Sequence, residues 1–382
     1  MTQAIWPLRA ILRVGSRIMI MLYGTDWLAS VELEKLIIEE HKGSECFHLE
    51  ESLILEVRNI ERLMQMIGSS EEPLFFFDSL KEGAVICRKL GRSLYTLLRR
   101  GVVTITHTLP YHEMNPYVEV YFKHVDKLSS FCEFWPVDAM RGQVAESFVL
   151  AANDLVSELR CELSSADFKS ILKRFKRASL KRTKGLERYI DDLFQQHARM
   201  LVLRIDLSYE GGYLSGRLDF DSDISAVKRH WSKMQTDLHK GKPVSGLLGF
   251  VCKLEYGHLK GFHFHLLLFY SGSEHRQDGG LARMIGEHWK NSVTEGRGRF
   301  YNCNANKQRY KNVGIGMISY DQSDRIDVLK NKVGAYLTKV DYWVRLSPSV
   351  GRSFSKGNSP KLSATKRGRK RSDGQIPRTR DV

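Results

Sequence analysis

The sequence predicts an α+β fold: a largely antiparallel central sheet flanked by helices, preceded by a mixed α/β region and followed by a disordered basic tail. Three observations carry this. Short strand patterns are joined partly by a hairpin and partly by helices. Between them lie stretches whose apolar residues recur at helical spacing. Charge and composition also shift near residues 165 and 345 of the 382-residue chain. These shifts predict three parts: 1–165, 166–345 with a basic leading helix, and 346–382.

In the first part, Leu53, Val57, Ile60 and Ile67 predict a helix over Ser52–Ile67. Phe148, Ala152, Leu155 and Leu159 predict another over Val144–Leu163. Val102–Thr106 and Tyr117–Phe122 read as short strands, rich in β-branched and aromatic residues. No catalytic motif stands out here. In the second part, residues 171–188 carry eight Lys and Arg against one acid, Glu187. Lys173, Arg174, Lys176 and Arg177 head this run as candidate contacts to a phosphate backbone. Leu186, Ile190, Leu193 and His197 mark a helix, and Leu201–Leu207 a strand. A helix over Ile224–Leu238 has Asp221 or Asp223 available as its cap. Gly246–Glu255 and Phe262–Tyr270 read as strands paired around a turn at Gly257–Gly261. A helix over Leu281–Asn291, a strand over Val313–Tyr320 and a helix over Ile326–Val344 complete the pattern. The tail beyond Leu346, rich in Ser, Gly, Pro, Lys and Arg, is expected to be disordered until it meets an anionic partner.

Composition excludes several classes. With 42% hydrophobic and 27% charged residues, the chain is neither wholly disordered nor a small disulfide scaffold. No apolar run approaches the roughly 20 residues of a membrane span, so no membrane partner is expected. Arg9, Arg13 and Arg17 interrupt the first apolar stretch, and the six cysteines are scattered with no C-x-x-C pair. Both features predict a protein of the cytoplasm with free thiols. The net charge of +15 predicts a polyanionic partner, nucleic acid before membrane. Residues 345–382 hold 11 Lys and Arg against 2 acids and so carry +9 of it.

The residues that carry chemistry centre on GFHFHLLLFY, 261–270. Side chains alternate faces along a strand, so His263 and His265 point the same way. Two imidazoles so placed make half of a divalent-metal site. Glu255 ends the preceding strand, and the hairpin can fold its carboxylate beside both rings, leaving positions open for a substrate oxygen. Tyr336 and Lys339 share a helix face at i, i+3 spacing. Tyr336 also fits plain core packing, and Tyr342 is the alternative nucleophile. Asp206 reads as an ion-pair partner of Arg204 or as a support for the histidines. In residues 294–312, Arg297, Arg299, Lys307 and Arg309 alternate with Phe300 and Tyr301. That reads as a loop with cations for phosphates and rings for base stacking.

The order of an apolar strand (LVLRIDLSY, 201–209), an HFH strand (263–265) and a Y-x-x-K helix (YLTK, 336–339) resembles the three motifs of HUH endonucleases. Those are the rolling-circle replication initiators and relaxases. The segments LFQQHARMLVLRIDLSY, YGHLKGFHFHLLLFYSG and VGAYLTKVDYW are most similar to the filamentous-phage (inovirus-type) replication proteins. The resemblance covers residues 186–345 and implies a nicking and joining enzyme for single-stranded DNA in a phage or prophage-like element. It implies that His263, His265 and Glu255 hold Mg²⁺ or Mn²⁺ and that Tyr336 forms a 5′-phosphotyrosine link. Lys339 is implied to steady the phosphate. A hairpin origin and a host helicase and polymerase are the implied partners. Tyr336 and Tyr342 are six residues apart, which reads as a single-tyrosine enzyme. A cupin reading of G-x₅-H-x-H fails because Phe269 and Tyr270 stand where its glutamate is needed. A non-catalytic DNA-binding protein on the same fold is the other reading that the charge allows.

Overall fold

The computed structural model describes residues 45–80, 83–100, 111–134, 136–214, 219–257, 261–339, 344–347 and 350–360. The strand expected over Val102–Thr106, Tyr342 and the basic run at 365–371 lie outside them.

The described N-terminal residues build a mostly helical unit. Helix α1 (Glu45–Gly68) leads to a hairpin of β1 (Phe75–Asp78) and β2 (Ala84–Cys87), then to α2 (Lys89–Arg100). Strand β3 (His112–Met114), α3 (Pro116–His124), α4 (Ser129–Phe134) and α5 (Gly142–Ser164) follow. Their shared core includes Ile60, Met64, Leu94, Phe148 and Leu155, all nearly inaccessible to water. Residues 117–122, expected as a strand, are helical. Asn115 caps α3 by accepting from the Tyr117 amide at 3.1 Å, and Pro116 stands in the first turn. Val118, Tyr121 and Val125 then meet the core at helical spacing. Tertiary packing and the Asn-Pro start override the strand preference of Val and Tyr.

Helix α6 (Ala166–Gln196) runs without interruption through the basic segment and the following apolar one. Ser165 caps it by accepting from the Phe168 amide at 3.1 Å. Phe168 joins the N-terminal core, whereas Leu186, Tyr189, Ile190 and Leu193 join the core beneath the main sheet. One helix therefore serves both cores.

The main sheet is antiparallel throughout. Strand β4 (Arg199–Tyr209) is followed by α7 (Phe220–His239), then by β5 (Leu247–Gly257) and β6 (Gly261–Ser271). Next come α8 (Asp278–His288), β7 (Gly298–Asn302) and β8 (Gly316–Ser319). The chain continues through α9 (Ser323–Val328), a π-helical turn at Leu329–Gly334, α10 (Ala335–Lys339), β9 (Val344–Leu346) and β10 (Phe354–Lys356). Spatial order is β10-β5-β6-β4-β7, with β8 on the other half of the outer edge of β4.

Alternation along β4, β5 and β6 divides the sheet into two faces. Leu203, Ile205, Cys252, Phe264 and Leu266 meet α7 and α8 on one face. Val202, Val251, Leu267 and Phe269 meet α6, α9 and α10 on the other. Every one of these side chains is essentially excluded from water.

Several expected boundaries move. Asp219, rather than Asp221 or Asp223, caps α7, accepting from the Ser222 amide at 3.0 Å. The strand expected over Val313–Tyr320 shrinks to β8, because Gly316 takes a left-handed conformation (φ +88°) at its start. The last helix begins at Ser323 and includes the π turn, and Val344, expected as its end, instead opens β9, which pairs with β3. The segment after Leu346 is not wholly irregular. Phe354–Lys356 adds an edge strand to β5, and the Lys356 ammonium lies 4.5 Å from the centre of the Tyr189 ring. Cys87, Cys132, Cys161, Cys252 and Cys303 are free thiols. No helix among the described residues is long and apolar enough to cross a membrane.

Tyr189 is a pin for this edge. Its hydroxyl accepts from the Phe250 amide at 3.2 Å, and a Cβ at Gly249 would lie 2.3 Å from that oxygen. Gly249→Ala is expected to cost about 1–3 kcal/mol by overcrowding the phenol. Urea unfolding measures it, and a change within about 0.5 kcal/mol would show that the phenol is not confined there.

Candidate metal centre

Strand register assembles the centre. Glu255 on β5 stands directly across from His263 on β6, and His265 stands between Lys253 on β5 and Asp206 on β4. All five occupy the sheet face covered by α6, α9 and α10. Both histidines are buried, at 7% and 3% exposure.

The two rings present their Nε2 atoms to one carboxylate oxygen. Glu255 Oε2 lies 3.4 Å from His263 Nε2 and 3.1 Å from His265 Nε2. The opposite nitrogens are fixed by other partners. His263 Nδ1 donates to the Gly261 carbonyl at 3.1 Å, and His265 Nδ1 donates to Asp206 Oδ1 at 2.8 Å. Anchoring of Nδ1 leaves Nε2 as the coordinating atom and orients each ring, the usual support for a metal-binding imidazole. Glu255 Oε1 is buried with no hydrogen-bond partner among the described residues. The donor atoms of Glu255, His263 and His265 all lie within 4.8 Å of one another. Two imidazole nitrogens and one carboxylate, one of whose oxygens has no partner among the described residues, fit a divalent cation with coordination positions to spare. This buried cluster can hold a metal ion.

Electrostatics describe the cation-free state. Burial alone would lower the His265 pKa, but the Asp206 and Glu255 carboxylates outweigh it and raise it to about 9. With an acceptor at each nitrogen, the imidazolium is the form that satisfies both contacts. Burial alone would raise Glu255, but His265 and His263 hold its carboxyl well below the usual range.

Tyr336 comes to the same face. Its ring lies 5.1 Å from that of His265, edge to face at 88°, and the Arg204 guanidinium stands 4.9 Å from its centre. It is also buried, at 6% exposure, among Leu329, Val333 and Leu337. The helix that carries it is held by α6: Thr183 Oγ1 donates to Thr338 Oγ1 at 3.1 Å, and Lys330 pairs with Asp191 at 3.0 Å. The π turn immediately before α10 shifts the register of this helix by one residue just ahead of Tyr336. Lys339 ends α10, and its side chain lies outside the described residues, as does all of Tyr342.

The segment read as a single-strand loop is built differently. Residues 298–302 form β7, and 304–309 form a short 3₁₀ turn. Alternation along β7 separates its two rings. Phe300 turns to the opposite face, where a Cβ at Gly286 would lie 2.2 Å from it. It is a packing residue of that core. Tyr301 pairs in register with Asp206 and is 41% exposed beside the histidine centre, with Arg299 exposed on the same side. Arg297 covers the Tyr213 ring at 5.1 Å. Lys307 pairs with Asp278, and Arg309 is exposed. Lys173, Arg174, Lys176 and Arg177 are exposed on α6.

Of the two readings of Asp206, support of the histidines is the one the distances favour. It holds His265 at 2.8 Å, whereas Arg204 Nε is 3.7 Å from the same oxygen. The available signal was its parity: Asp206 alternates in step with Val202 and Arg204, facing the histidine side. Lys253, buried across from His265, escaped notice because cations in strands usually face water.

Fold and centre together define an antiparallel sheet bearing a two-histidine, one-carboxylate cluster with a tyrosine helix over it. Residues 164–345 match the family described as the YagK/YfjJ C-terminal domain, which spans just under half of the chain. No curated protein and no solved structure matches the chain.

Two outcomes are expected. Mn²⁺ titrated into metal-free protein is expected to bind at one site, and Glu255→Gln or His263→Ala is expected to weaken it roughly tenfold or more by calorimetry. Unchanged affinity in both variants would place the ion elsewhere. In metal-free protein, the His265 contribution to stability is complete below its ordinary value of 6.5 and lost as pH rises through about 9. The Glu255 contribution is present above its ordinary 4.5 and lost as pH falls through its depressed value. Melting temperatures in chelator are therefore expected to fall as pH rises from 6.5 through about 9, and to fall less in His265→Gln. Parallel curves for the two proteins would contradict the assignment.

Proposed function

We propose that this protein nicks and rejoins single-stranded DNA in a metal-dependent reaction through a 5′-phosphotyrosine link, as an HUH-type enzyme that starts rolling-circle replication of a phage or prophage-like element. The observation that carries the reading is the approach of the Tyr336 ring to within 5.1 Å of His265, on the face that bears both histidines and Glu255.

A bound Mg²⁺ or Mn²⁺ would supply Lewis-acid charge at a phosphoryl oxygen. His263, His265 and Glu255 would hold that ion, and Asp206 would keep His265 oriented. Tyr336 Oη forms the new bond to phosphorus as the bond to the 3′ oxygen breaks. The phenolic proton leaves Tyr336, and the departing 3′ oxygen becomes a hydroxyl. One phosphodiester replaces another, so the step is reversible and the same site can rejoin the strand. The Arg204 guanidinium, 4.9 Å from the centre of the Tyr336 ring, places a cation beside the nucleophile. Tyr301 and Arg299, exposed beside the centre, offer a ring for stacking and a cation for phosphate. Lys339 would add a second cation. A host helicase and polymerase are the partners such a reaction needs, in the bacterial cytoplasm.

The burial of Tyr336 favours a second reading. A phenol packed among Leu329, Val333 and Leu337 also suits a non-catalytic DNA-binding protein.

Incubation with single-stranded oligonucleotide pools and Mn²⁺ is expected to give a covalent protein–DNA adduct that survives denaturation. Tyr336→Phe is expected to lower adduct yield by roughly 10³-fold or more, because no other oxygen replaces the nucleophile. Peptide mapping that finds DNA on Tyr342 would reassign the nucleophile. No adduct with any pool would leave the non-catalytic reading.

A further inference from the structure

One exposed face of α6, whose basic run the sequence offers as a phosphate contact, takes no part in the metal centre or in the proposed nicking reaction. Lys169, Lys173, Arg177, Lys181, Lys184 and Arg188 follow one another at intervals of three to four residues, and all are exposed. Such intervals bring side chains onto one face of a helix. From Lys169 to Arg188 the row spans about 28 Å at 1.5 Å per residue. None of the six has an ion-pair partner among the described residues, whereas cations elsewhere, such as Lys330 and Arg345, do. The opposite side of α6 is apolar and buried, so the row cannot turn inward.

Like charges three and four residues apart weaken a helix. Folding and packing thus give no reason for the row, and solubility needs no such alignment. The side chains between the cations add to this. Leu180 is 60% exposed, and Gly185 stands in mid-helix where a Cβ would meet nothing within 4 Å. No internal contact calls for glycine there, and its absent side chain leaves the helix surface open to close approach. The row contains no Asn, Gln or aromatic residue. It therefore has neither the amides that read base edges nor the rings on which unpaired bases stack.

We propose that this face of α6 is a sequence-independent docking surface for the phosphate backbone of duplex nucleic acid. Cations spaced about one helical turn apart neutralise successive phosphates of one strand, and the bases are not read. The same helix packs against the helix bearing Tyr336 through the Thr183–Thr338 contact. Duplex held there would engage the solvent side of the helix whose inner side packs on the Tyr336 helix. The proposal depends on the basic face and not on the nicking reading, because duplex binding is measured without metal and without cleavage.

Fluorescence anisotropy of the full chain with a duplex of arbitrary sequence, in chelator across a salt series, tests it. The slope of log K against log salt is expected to be steep and independent of sequence. Lys173→Gln, Arg177→Gln, Lys181→Gln and Lys184→Gln combined are expected to reduce it by about 0.9 for each phosphate no longer neutralised. The pair Arg177→Gln and Lys184→Gln, expected to melt as the unmodified protein does, is expected to show about half that change. His263→Ala is expected to leave the slope unchanged. An unaltered slope in both Gln variants would overturn the proposal. So would weakened binding of single strands with duplex binding intact.

Discussion

The centre depends on the register of three strands. Asp206, His265 and Lys253 form one row across β4, β6 and β5, and His263 and Glu255 form the next row but one along. A slip of one residue in β6 would send both histidines to the opposite face and replace them with Phe262, Phe264 and Leu266. The apolar residues that alternate with the histidines prevent this. Phe264 packs on Trp231 and Trp289, and Leu266 is fully buried. Hydrophobic burial on one face thus fixes polar geometry on the other.

That polar face is costly. Asp206, Glu255, His263, His265, Arg204 and Lys253 place six ionisable groups on one stretch of sheet, and the last four are almost fully buried. Mutual attraction offsets the loss of hydration only where geometry is good, and apolar replacements of similar volume are often neutral or stabilising. Stability alone therefore does not account for the cluster. The unpartnered oxygen of Glu255 points the same way, since a purely structural carboxylate in this setting would have both oxygens engaged.

Much of the sheet was legible because its signals are local. The HFH alternation, the glycines at 257 and 261 and the helical spacing of Leu186, Ile190 and Leu193 each stay within a few residues of chain. The grouping of Glu255 with the histidines was legible for the same reason: it needs only a hairpin. What escaped or stayed open involves contacts between distant segments. Asp206 meets His265 only because β4 pairs with β6, and Tyr117–Phe122 is helical because packing against other helices, with the Asn115 cap, overrides its strand preference. Separation of Phe300 from Tyr301 required knowing that β7 joins the sheet at all. Basic residues around that short strand resemble a solvated loop, and edge strands often carry such charges. Phe354–Lys356 escaped similarly, since its pairing with β5 is not written in its own composition.

The pairing of β9 with β3 reaches beyond its three residues. Four residues separate Val344–Leu346 from Lys339, and its partner His112–Met114 belongs to the N-terminal unit. Arg345 strengthens the clasp by binding Glu113 at 2.6 Å and 2.9 Å and lying 4.2 Å from the centre of the Phe175 ring. The tyrosine helix is thereby tethered at its exit to a part of the protein that contributes none of the clustered His and Glu ligands. An excised fragment spanning only 164–345 would retain every coordinating side chain yet forfeit that mooring. The described N-terminal unit thus braces the far end of the sheet-bearing half.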